Sequence, residues 1–170
     1  MKKQMVSWLI IVALVALGVL VYTYGSRPEM PQVGIDGKIN GNYSIASIQR
    51  LGKPYVCNFE KKDGTSQVVG VIHTDGKSVY GEFRIKTDLA EKQFNSFLIL
   101  KDDESYVWTS LQNVGYKTSI AQSASQNASP QEQAQIVGTW DKINYKCEPW
   151  LDSDNSIFET PTWITFVNLK

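Results

Sequence analysis

The chain has 170 residues, with 17 basic and 17 acidic side chains, two cysteines and one histidine. A net charge of zero gives no steering field toward a polyanion, so nucleic-acid binding is not expected. Beyond the N-terminal segment about 145 residues remain, enough for one domain and short for two, and the whole chain's five Trp, eight Tyr and six Phe are a generous aromatic supply.

Lys2 and Lys3 precede an uncharged apolar run from Met5 to Tyr24. A bilayer core of about 30 Å needs roughly 20 apolar residues in a helix, and the run meets that length. Trp8 near one end, with Tyr22 and Tyr24 at the other, suit the headgroup levels, and the lysines hold the N-terminus cytoplasmic. Residues 1–24 are therefore expected to be a transmembrane signal anchor, with 5–24 as the membrane contact and the rest extracytoplasmic. A cleaved signal peptide would use Ala16-Leu17-Gly18, but Val19, Leu20 and Val21 carry the apolar run through that site. A lipoprotein would need a cysteine just past the run, and the first is Cys57.

Residues 25–41 read as a flexible linker, with Pro28, Pro31, Gly34, Gly37 and Gly41 and no sustained period. The β domain is expected over 42–170. It opens on a short helix in which Ile45, Ile48 and Leu51 recur at helical spacing, behind Asn42 or Ser44 as cap and before Gly52. From Lys53 onward the period becomes two. Tyr55, Cys57 and Phe59 alternate with Val56, Asn58 and Glu60 before a turn at Lys62-Asp63-Gly64. Ser66–Thr74 and Lys77–Lys86 form a hairpin across Asp75-Gly76, and Phe94–Lys101 and Ser105–Leu111 form another across Asp102-Asp103-Glu104. A further strand is expected to begin at Gly115–Ile120 by the same pattern. Ala121–Gln135 is almost wholly Gln, Ser, Ala and Asn and buries too little apolar surface to order itself, so a disordered loop is expected there. Strands resume at Asp141–Trp150 and Trp163–Val167. The fold class is α+β and mainly β: a transmembrane helix, then a curved antiparallel sheet with one or two covering helices.

Cys57 and Cys147 both fall in strand patterns. They form either one disulfide or two buried thiols, and an exported domain favours the disulfide. No Cys-x-x-Cys supports redox catalysis.

A short helix before long meandering strands resembles the half-β-barrel domains of the LolA and LppX-like type. The segments Val71–Arg84 and Asp102–Trp108 carry that resemblance, as does the frame Cys57…Cys147-Glu148-Pro149-Trp150. The resemblance spans roughly Asn42–Lys170 and implies a half-barrel with a concave apolar face for an acyl chain or a partner. The chain departs from the type in having a tether and no lipobox cysteine.

His73, the sole histidine, has no Gly-x-Ser-x-Gly elbow near it and is expected as an exposed strand-end imidazole. Asp152 and Asp154 with Glu159 form the best oxygen-ligand cluster. It lacks the central glycine of an EF-hand and has Trp163 where the bidentate glutamate belongs, so a solvated turn is expected and no metal. The aromatic residues Tyr80, Phe83, Tyr106, Trp108, Tyr145 and Trp163 are candidates for an apolar groove. Together these readings point to a membrane-anchored, non-catalytic binding domain without a cofactor, taking a lipid or other hydrophobic ligand or an envelope protein. The alternative is a structural or assembly subunit of an envelope complex, although Gly18 has no small residue at GxxxG spacing.

Overall fold

A computed structural model describes residues 29–64, 66–86, 93–120 and 138–169. The expected membrane segment at 5–24 and the expected loop at 121–135 lie outside the described residues. Among those described, no helix is long and apolar enough to cross a membrane.

The domain is one open nine-stranded sheet. Its strands are β1 (Ile39–Tyr43), β2 (Tyr55–Asp63), β3 (Ser66–Thr74), β4 (Val79–Lys86), β5 (Phe94–Lys101), β6 (Glu104–Thr109), β7 (Val114–Ser119), β8 (Ile143–Pro149) and β9 (Thr165–Asn168). Helix α1 (Ile45–Gln49) follows β1, and a 3-10 helix (Asn155–Phe158) precedes β9. The strand order is β1-β8-β2-β3-β4-β5-β6-β7-β9. From β2 to β7 the chain is a plain meander, as the alternating pattern and short turns dictate.

Two features correct the sequence reading. First, the stretch read as linker includes the start of β1, whose Ile39 is fully buried opposite Cys147. Glycines and asparagines hid this strand, and it forms because β8 offers it a partner edge. Second, the sheet is mixed, because β9 lies parallel to β7. The chain leaves β8 at one end of the sheet, crosses a face through residues 150–164, and enters β9 from the other end. It therefore runs alongside β7 in the same direction.

Strand alternation sorts side chains onto two faces. On the first, Tyr55, Cys57, Phe59, Val68, Ile72, Val79, Phe83, Ile85, Leu98, Leu100, Val107, Ile143, Tyr145 and Cys147 form the main core, closed by Ile45 and Ile48 of α1. Phe59 sits at its centre, with ring centroids 5.8 Å from Phe83 and 5.2 Å from Tyr145. Gly70 lies beneath these rings, and a Cβ there would come within 2.4 Å of Phe59 and 2.8 Å of Phe83. The glycine is thus a packing device, since only a bare Cα lets the rings lie on the sheet. Cys57 and Cys147, directly opposite in β2 and β8, form a disulfide.

On the second face, Ile99, Trp108 and Ile164 make a smaller core with Tyr80, Phe97, Tyr106 and Phe166 around it. Phe97 stacks on Trp108 at 5.2 Å, and Phe166 meets Trp108 edge-on at 5.9 Å. Segment 150–164 covers this face as a strap. Its Trp150 packs on His73 and Phe158, and its 3-10 helix lies against β4 and β5.

Candidate functional site

Described residues form an open cleft of about 250 Å³, lined by Ala46, Gln49, Arg50, Gly76, Ile120, Thr139 and Trp140. Helix α1 shapes one wall. Ser44 caps it, its Oγ accepting from the Ser47 N–H at 3.1 Å, which leaves the following turn ordered for Gln49 and Arg50. The opposite wall is the turn at 138–141. There Asp141 Oδ2 accepts from the Gly138 N–H at 3.0 Å, and Thr139 O accepts from the Ala46 N–H at 3.2 Å. These bonds lock the turn to α1 and present Trp140, which stays 46% exposed. The floor is the β3–β4 turn, held by Asp75 Oδ1, which accepts from the N–H groups of Lys77 and Ser78. Gln49 fastens to the same turn by donating to Lys77 O.

The Arg50 guanidinium lies 5.7 Å from the centroid of the Trp140 ring. Among the described residues Arg50 makes no ion pair, and no carboxylate lines the cleft. The site therefore offers a forked cation with unused donors beside an aromatic face and an amide. Its volume lies just below the roughly 300–1,000 Å³ range of small-molecule pockets.

The residues expected to form an apolar groove do not converge on one surface. Phe83 and Tyr145 are buried beneath α1, while Tyr80, Tyr106 and Trp108 point to the strap-covered face. Trp163 is 62% exposed at the end of the strap. The Tyr145 hydroxyl is buried without a hydrogen-bond partner among the described residues, and burial pushes its pKa upward. Tyr106 donates to Glu104 at 2.5 Å, and Glu104 pairs with Lys117 at 2.6 Å. The hydrogen bond to Glu104 raises the Tyr106 pKa, and that to Lys117 lowers the Glu104 pKa.

His73 is half-buried rather than exposed, because the strap folds over it. Its ring lies 5.0 Å from Trp150 and 6.2 Å from Tyr80, its Nδ1 has no partner among the described residues, and burial lowers its pKa against the pull of Glu82. Asp152, Asp154 and Glu159 are exposed, and Asp154 caps the 3-10 helix by accepting from the Ser156 N–H at 2.9 Å. That backbone bond lowers the Asp154 pKa. Among the described residues no three metal-ligating side chains come together.

Arg50 and Trp140 were not legible as a site. They stand 90 positions apart, and only the packing of the 138–141 turn on α1 joins them. No protein-family model, curated protein or solved structure matches the chain.

Proposed function

We propose that this chain is a single-pass, membrane-tethered extracytoplasmic domain that works by binding, not catalysis, and takes an acidic envelope component in the Arg50–Trp140 cleft. The observation carrying this reading is the Arg50 guanidinium, without an ion pair among the described residues, set over the half-exposed Trp140 ring beside Gln49. Such a pair receives a carboxylate or phosphate on the fork while a sugar or other ring stacks on the indole. The apolar run at 5–24 supplies the tether, and the disulfide suits an oxidising compartment. The open sheet with α1 on one face is in keeping with the half-barrel resemblance. The face under α1 is occupied by Phe59, Phe83 and Tyr145, which favours recognition at the cleft over carriage of an acyl chain.

The test is titration of the full chain in detergent micelles with glucuronate and with glucose, read by tryptophan fluorescence and calorimetry. Glucuronate is expected to bind, glucose to bind more weakly, and Arg50→Ala to abolish the difference. Equal responses to both sugars, or glucuronate binding untouched by Arg50→Ala and Trp140→Ala, would refute the reading.

A further inference from the structure

We infer that one end of the sheet rests on the phospholipid bilayer that tethers it, with Leu111 and Trp163 in the headgroup layer. This inference rests on the membrane-tethered reading above.

The chain enters the domain at a defined corner. Lys142 Nζ, just before β8, lies 3.4 Å from Glu29 Oε2, and the Gln32 N–H donates to the Tyr43 hydroxyl at 3.1 Å. Glu29 therefore sits at the end of the sheet where β1 finishes and β8 begins. Only residues 25–28 separate Tyr24 from Glu29, a reach of about 17 Å at full extension. A strand of eight or nine residues spans about 27–30 Å. With a membrane tether at 5–24, chain length holds the β1–β8 corner of this end near the bilayer.

The same end carries exposed apolar side chains. Register follows it across the sheet from Tyr43↔Ile143, through Gln67↔Lys86 and Ile85↔Phe94, to Trp108↔Gly115 and Val114↔Thr165. The Thr165 N–H donates to Asn113 O at 3.0 Å, which brings the end of the strap against the β6–β7 turn. Leu111 and Trp163 are here 69% and 62% exposed, with Val114 beside them, and Met30, 64% exposed, lies at the β1 corner of the same end. A half-wet indole flanked by aliphatic tips is the composition that settles at a bilayer interface. Four lysines lie at this end: Lys62 pairs with Glu60 and Lys142 with Glu29, while Lys61 and Lys86 make no ion pair among the described residues and suit anionic headgroups.

The far end is mixed in charge: its turns carry Asp36, Asp75, Asp102, Asp103 and Asp152 beside Lys38, Lys77 and Lys101. Ile35 and Leu151 are exposed there among those carboxylates, so they serve as internal controls.

The experiment uses the full chain in nanodiscs of phosphatidylethanolamine and phosphatidylglycerol. An environment-sensitive fluorophore is attached through Leu111→Cys, Trp163→Cys, Ile35→Cys or Leu151→Cys, one at a time, the native cysteines being buried and bridged. Labels at 111 and 163 are expected to shift to the blue and to lose emission to lipids spin-labelled near the headgroup, while labels at 35 and 151 do neither. Equal quenching at both ends, or none at 111 and 163, overturns the inference. Alkaline carbonate extraction separates the two failures: a chain that stays in the membrane leaves the tether standing, and a released chain removes tether and inference together.

Discussion

Substituting Gly70→Ala tests whether the rings of the main core lie on the sheet as described. The new methyl would sit 2.4 and 2.5 Å from Phe59 Cε1 and Cζ and 2.8 Å from Phe83 Cδ1. Carbon pairs prefer about 3.5–4.0 Å, so Phe59 has to retreat by about 1 Å. It has little room, with Phe83 on one side and Tyr145 edge-on behind it, each almost wholly buried. Overpacking of this kind costs about 1–3 kcal/mol. Gly70 does not have a positive φ, so alanine also recovers about 0.4–1 kcal/mol by restricting the unfolded chain. The net expectation is a loss of about 1–2 kcal/mol. In urea that lowers the unfolding midpoint by roughly 0.5–1 M at unchanged slope. The mechanism is checked by repeating the substitution in a Phe59→Leu background, where the smaller side chain relieves the clash and the cost of alanine shrinks. A midpoint unchanged or raised by Gly70→Ala, or the same cost in both backgrounds, refutes the packing argument.

Reducing the Cys57–Cys147 disulfide, which closes a 90-residue separation, is expected to cost up to about 4.6 kcal/mol on the chain-entropy model and to lower Tm by on the order of 10 °C; scanning calorimetry with and without reductant measures it. His73 has a folded pKa below its unfolded value, so its neutral form is the one that folding favours. Its contribution to stability is therefore complete above about pH 6.5 and declines as pH falls below that toward the folded pKa. Urea midpoints between pH 8 and 5 should show that decline, and His73→Phe should flatten it; an unaltered pH profile in the variant counts against the buried imidazole as its source. Tyr145→Phe removes a buried hydroxyl that has no partner, so stability should hold or rise by about 1 kcal/mol, and a loss of that size would mean the hydroxyl is satisfied.

Much of the sheet was legible because its signal is local. Alternation in Val79–Lys86 separates Val79, Gly81, Phe83 and Ile85 from Tyr80, Glu82, Arg84 and Lys86 whatever the rest of the chain does. Turn residues such as Asp75-Gly76 likewise set hairpin ends from nearest neighbours alone. The short helix carries its own cap in Ser44 and its own apolar pair in Ile45 and Ile48. The cysteines offered a disulfide because two such residues in strand patterns leave a single possible pairing.

What the sequence could not decide depends on which edges meet. Ile39–Tyr43 has weak strand propensity and becomes β1 only because β8 inserts between it and β2. The same long-range insertion sends the strap across the second face, covers His73, and turns β9 parallel to β7. Local alternation already puts Phe83 and Tyr145 on one face and Tyr80, Tyr106 and Trp108 on the other, whereas only the assembled fold brings Arg50 to Trp140. Composition and period determine what each segment is, since those are properties of adjacent residues. Pairings between segments a hundred positions apart are decided by the shared burial of Ile39, Cys57, Tyr145 and Cys147, a property only the assembled sheet possesses.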